Sequence, residues 1–127
     1  MDDIVTYLCN YSLDHNIGFQ LDNRLEPNDI SVSNGLLRLV VINMNWHNTM
    51  EIPFQFAHEI SHVLNGDTGI NCYSTQYPMI EEEYEANKRA IKILLEYCNL
   101  NDIHFESKIQ FLESFGIPTN LETLLDK

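Results

Sequence analysis

The chain has 127 residues, and 19 Asp and Glu against 7 Lys and Arg leave a formal charge of −12 with its five His neutral. At that length one domain can bury about two thirds of the surface its unfolded chain exposes, and 44% apolar with 20% charged residues is an ordinary globular balance that argues against disorder or a fibre. So large an acidic excess repels phosphate, which disfavours direct nucleic-acid binding and adhesion to an anionic membrane while leaving a basic protein partner open.

No apolar run approaches the ~20 residues of a membrane span. The opening Met1-Asp2-Asp3-Ile4 lacks the basic and apolar regions of a secretory leader, so the sequence reads as cytoplasmic. Cys9, Cys72 and Cys98 are widely spaced with no C-x-x-C pair, and read as buried free thiols.

In chain order, Asp2 to Asn16 carries apolar residues at helical spacing behind acidic first-turn residues that suit the helix dipole. Phe19-Gln20-Leu21 reads as a short strand and Pro27-Asn28-Asp29 as a turn. Ile30 to Asn43 reads as a β-hairpin about a tight turn at Asn34-Gly35, and its second strand, from Leu36, is apolar enough to need cover on both faces. After a polar loop at Asn45 to Thr49, a helix is predicted from Glu51 to Leu64, with Pro53 in its first turn and Asn65-Gly66 as its stop. Asp67 to Pro78 reads as a polar loop, and Ile80 to Tyr97 or Cys98 as a long helix broken at Asn99 to Asp102. A further helix is expected from Ile103 to Phe115, ended by Gly116-Ile117-Pro118, with a last turn or two between Asn120 and Leu125. No repeat, low-complexity tract or linker divides the chain, so one domain is expected over residues 1–127. Its expected class is α+β, a small antiparallel sheet packed on a helical bundle.

The most informative residues are His58-Glu59-Ile60-Ser61-His62, an H-E-x-x-H motif inside a predicted helix. Imidazoles at i and i+4 leave successive turns in the same direction, so two nitrogens can reach one Zn²⁺. Glu59 then sits beside the ion without ligating it, the place of a general base. A catalytic zinc keeps three protein ligands, and the acidic run Glu81-Glu82-Glu83-Tyr84-Glu85 offers the third. At about 100° per residue, the stripe Ala86, Ala90, Ile93, Leu94 and Tyr97 places Glu83 nearest its centre, Glu82 at its edge, and Glu81 and Glu85 opposite. An inward carboxylate is costly unless paired or bound to a metal, which singles out Glu83. Asn87 lies one turn further on the same face, where it can hold a ligating histidine by hydrogen bond.

Phe56-Ala57-His58-Glu59-Ile60-Ser61-His62-Val63-Leu64 followed by Glu83-Tyr84-Glu85-Ala86-Asn87 resembles the ImmA/IrrE family of zinc metallopeptidases, whose helices carry H-E-x-x-H and then E-x-x-A-N. Val40-Val41-Ile42-Asn43 is similar to the strand those proteins carry before the metal helix. The resemblance implies a zincin-like, gluzincin-type domain in which His58, His62 and Glu83 bind Zn²⁺, Glu59 is the catalytic base and Asn87 steadies a ligand. It further implies a protein substrate, a helix-turn-helix repressor encoded on a phage or integrated element, which is cleaved or otherwise inactivated. This chain departs from the family pattern at Ser61, where Gly or Ala is frequent, at Lys88-Arg89 after Asn87, where an aromatic is common, and at Leu94-Leu95-Glu96-Tyr97, which lacks a Met-Pro ending.

His15, His47 and His104 have no partners at ligand spacing and read as surface histidines. Tyr73, Tyr77 and His104 are candidates to steady an oxyanion, and Trp46 in the loop before the metal helix reads as a packing residue. Two other readings compete: a regulator that keeps the fold and inactivates its partner by binding alone, and a structural zinc site, although structural sites favour four protein ligands and more sulfur.

Overall fold

Ile4, Val5 and Leu8 fall on one face of the first helix and are buried there, and that face draws α1 (Asp2–Asp14) against the core in a computed structural model that describes residues 2–72 and 80–126. Past α1 the chain turns at Asn16, which adopts φ 59°, and Ile17 closes the turn with a bond from its N–H to Ser12 O at 2.8 Å. It then enters β1 (Gly18–Asp22).

Three more strands follow, β2 (Val32–Asn34), β3 (Leu39–Asn43) and β4 (Ile70–Cys72), and the sheet order is β1-β3-β2-β4. The predicted hairpin is present as the antiparallel β2–β3 pair. The sheet as a whole is mixed and not wholly antiparallel, because β1 pairs with β3 in parallel from Gly18↔Leu39 to Asp22↔Asn43. The reason lies in the apolar run of β3, which needs neighbours and cover on both sides. It inserts between β1 and β2, which run in opposite directions, and a strand so placed must be parallel to one of them. β4 adds antiparallel to the free edge of β2, inside the stretch from Asp67 that reads as loop by composition.

The hairpin loop also differs from its prediction. Asn34 pairs with Leu39, so four residues connect the strands, with Asn34 Oδ1 accepting from Leu37 N at 3.2 Å and Arg38 at φ 49°. Gly35 is required by proximity: a Cβ there would overlap the Asp67 carbonyl and lie 2.9 Å from Thr68 Cα.

A 3-10 turn at Thr49–Glu51, capped by the Asn48 side chain, leads into α2 (Ile52–Leu64), with Pro53 in its first turn where a missing N–H costs nothing. Every residue of α2 from Ile52 to Val63 is buried. The helix runs through the middle of the molecule, against β2 and β3 on one side and α1 and α3 (Glu81–Leu100) on the others. α4 (Lys108–Ser114) and a 3-10 segment at Thr119–Asp126 complete the order.

α4 starts five residues later than its apolar pattern suggests. Ile103 N is bonded to Cys98 O at 2.8 Å, closing the end of α3, and Ser107 caps α4 through Gln110 N at 3.1 Å. Phe105 stays outside the helix and meets the rings of Phe111 and Phe115 at 5.6 and 6.4 Å. Gly116, at φ 60°, ends α4 within reach of the Glu51 backbone, 3.2 Å from where a Cβ would stand. Cys9 and Cys98 are free thiols, partly and fully buried. Among the described residues no helix is long and apolar enough to cross a membrane.

Candidate metal centre

α2 carries His58 and His62 on one face, one turn apart, with ring centroids 4.8 Å apart and planes at 84°. Both are fully buried, as is Glu59 between them. The first turn of α3 lies across from this face. There the acidic run meets the positive end of the helix dipole, and the phase of the apolar stripe separates its members: Glu81, Glu82 and Glu85 are exposed while Glu83 is partly buried. Glu83 Oε2 stands 2.8 Å from His58 Nε2 and 3.2 Å from His62 Nε2. One nitrogen from each histidine and one Glu83 oxygen all lie within 4.8 Å of one another, a donor set that can hold a metal ion.

Burial sets the electrostatics of this cluster. It lowers the pKa of His58, against the opposing pull of Glu83 and of a hydrogen bond with the Asn87 side chain. Burial opposes protonation of His62 too, yet hydrogen bonds to Glu83 and Asp67 and the charges of Glu59 and Glu83 raise it to about 9. Glu83 feels burial in the other direction, and its bonds to the two histidines outweigh that and bring it down to about 2. Glu59 is pushed up to about 8 by burial, against the weaker pulls of the Ser33 hydroxyl and His62 and with the Glu83 charge adding to the rise. Neither of its oxygens completes a hydrogen bond among the described residues.

The departures noted in the sequence are accommodated. Ser61 is fully buried and satisfies its hydroxyl on Ala57 O at 2.7 Å, a local bond that suits a small polar residue inside a helix. Arg89 points outward and bonds Asn65 Oδ1 at 2.7 Å. Arg89 and Asn65 both line an open groove of about 570 Å³, whose wall also includes Asp67, Glu81, Glu82 and Glu85.

Asn87 is buried on α3 beside His58, as its spacing suggests. Asp67 is the residue that sequence reasoning missed: its Oδ2 lies 2.8 Å from His62 Nδ1, although composition assigns it to a polar loop. A carboxylate five residues beyond His62, directly after a Gly that stops the helix, was the available signal. His15, His47 and His104 stay outside the cluster. His15 bonds Tyr11 O, His47 bonds Pro27 O, and the exposed His104 pairs with Asp102 at 2.8 Å. Trp46 packs on the core and donates from Nε1 to Glu51 Oε1 at 2.8 Å. Tyr73 and Tyr77 lie outside the described residues.

A histidine pair one helical turn apart, a buried carboxylate between them and a second carboxylate delivered from the facing helix form a centre of the metallopeptidase type. A family model for the IrrE N-terminal-like domain, a peptidase family, matches residues 4–121, and the chain belongs to that family. The resemblance carried by the two helical motifs therefore extends over nearly the whole chain. Comparison with curated proteins and with solved structures yields no match.

Proposed function

We propose that the protein is a zinc-dependent endopeptidase with a zincin-like site in which His58, His62 and Glu83 hold the ion and Glu59 is the catalytic base. The observation that carries this reading is the convergence of three ligating side chains beside a fully buried carboxylate whose oxygens complete no hydrogen bond among the described residues. Two imidazoles and one carboxylate suit zinc, and three protein ligands leave a position open, as catalytic sites do. When bound, zinc supplies Lewis acidity, polarising a carbonyl and easing deprotonation of water.

The chain's own residues supply the rest. Glu59 is anchored on a helix whose every neighbour is packed, so its carboxylate is held at one place. Its ionised form, the one able to accept a proton, is favoured by positive charge nearby, and the same carboxylate can return that proton to the leaving amine. Asn87 and Glu83, both on α3, fix the face that α3 turns to the site. Burial of the histidines excludes bulk water from their outer sides.

Membership of a peptidase family supports a protein substrate. A helix-turn-helix repressor met in the cytoplasm, as in phage-borne relatives, is the substrate proposed, and a charge of −12 favours encounter with a basic DNA-binding protein. The test is incubation of the zinc-loaded protein with a helix-turn-helix repressor, followed on a gel. Wild type is expected to produce fragments, and Glu59→Gln to keep its zinc while cleavage falls by about 10²-fold or more. Relief of repression by Glu59→Gln with the repressor intact throughout would replace the peptidase with the binding regulator.

A further inference from the structure

We propose that Asp67 is a positioning residue for the metal centre, and that Gly35 in the β2–β3 loop holds it in place. The inference rests on the zinc-site reading above and concerns how His62 presents its ligating nitrogen. An imidazole has two nitrogens, and the proton on one fixes which lone pair is free. His62 Nε2 faces Glu83 at 3.2 Å, and Nδ1 faces Asp67 Oδ2 at 2.8 Å. A carboxylate accepting from Nδ1–H keeps the proton there, leaves Nε2 as the ligand atom and makes it more basic. Without Asp67 the neutral ring is free to exchange tautomers and to rotate.

Asp67 is tied down as such a role requires. Gly66, at φ 84°, bends the chain straight back after α2, and Asp67 N donates to His62 O at 3.1 Å. Asp67 therefore meets the same residue through both its backbone and its side chain. Its carboxylate is only 14% exposed and His62 not at all, so the pair is shielded from the solvent competition that makes surface ion pairs weak.

The other side of the Asp67 backbone rests on Gly35. A Cβ at residue 35 would overlap the Asp67 carbonyl and crowd Thr68 Cα at 2.9 Å, and Gly35 N donates to Gly69 O at 3.3 Å. Backbone here has little freedom to give way, since neither contact involves a flexible side chain. The loop of a hairpin thus sets the position of a carboxylate, and that carboxylate sets the tautomer of a ligating histidine.

The experiment measures zinc affinity by chelator competition, and the His62 ring nitrogens by NMR in the zinc-free protein above pH 9, where the wild-type ring is neutral. Asp67→Ala is expected to weaken zinc binding by about 10- to 100-fold, with Asp67→Asn between it and wild type, because an amide oxygen still accepts from Nδ1–H but carries no charge. The His62 Nδ1 signal should change from protonated to averaged in Asp67→Ala. Gly35→Ala should weaken zinc binding in the wild-type background and have no added effect in Asp67→Ala, with thermal unfolding followed to show that each variant folds. Equal zinc affinity and an unchanged ring signal in Asp67→Ala would overturn the inference. Additive losses from the Gly35 and Asp67 changes would remove Gly35 from it. If wild type itself binds no zinc, the site reading fails, and the ring signal alone then decides the role of Asp67.

Discussion

Glu59 should weaken the very fold that positions it. Its carboxyl is fully buried, completes no hydrogen bond among the described residues, and is pushed from 4.5 up to about 8. Below pH 4.5 it is protonated whether the chain is folded or unfolded, and its ionisation costs nothing. As pH rises, the unfolded chain releases the proton first, so stability is lost progressively until the folded group also ionises near 8. The gap between those values, at about 1.4 kcal/mol per pH unit, amounts to roughly 5 kcal/mol, of which roughly 3 is already lost at neutral pH. Glu59→Gln removes the ionisation while keeping the shape. In chelator-treated protein its unfolding midpoint should therefore match wild type near pH 4 to 5 and exceed it by about 10 °C at pH 7. Raised to about 9, His62 also loses its stabilising share as pH climbs from 6.5 through that value, and since the Glu59 charge is one of the pulls that raise it, the difference between the curves reports Glu59 together with this coupling. Thermal unfolding across a pH series is the assay. Parallel curves for the two proteins from acid to neutral pH would refute the reasoning.

Glu83→Gln should weaken zinc binding by more than about 100-fold, the upper range for residues that only support a ligand, while Glu82→Gln on the exposed side leaves it unchanged; chelator competition decides, and the reverse result would mean that the face α3 presents is wrong. Zinc affinity should also climb with pH: His62 holds its proton up to about 9 in the zinc-free protein, that proton must leave before the ring can ligate, and so each unit below 9 costs about tenfold. Titrations between about pH 6 and 8 that show a flat affinity would contradict it.

The centre was more legible than the sheet around it, and for a physical reason. H-E-x-x-H and the phase of Glu83 depend on helix geometry, which repeats within a few residues, so spacing turns His58 and His62 to one face of α2 and Glu83 to the apolar face of α3, and packing of α2 on α3 then brings the two faces together. Hairpin pairing of β2 with β3 is equally local. By contrast, the parallel partnership of β1 with β3 joins residues about twenty apart and follows from which gap β3 fills. β4 is only three residues long, and it becomes a strand because the edge of β2 offers it hydrogen bonds. The segment from Ile103 to Ser107 has helical periodicity, yet the end of α3 claims Ile103 N first. Asp67 was hidden in the same way: Gly66 and Gly35 were legible as a helix stop and a turn, but that the two meet at Asp67 is a tertiary contact that neither local signal contains.

The burial of α2 along its whole length has an evolutionary corollary. A typical helix offers an outward face on which substitutions accumulate at little cost, and new recognition surfaces are often built there. From Ile52 to Val63 this one has none. A lineage carrying this scaffold can alter what it recognises only in pieces outside α2, such as the acidic start of α3, which lines the groove with Asp67, and the hairpin loop, which touches the Asp67 backbone. Drift in the substrate can then be rapid while the chemistry stands still.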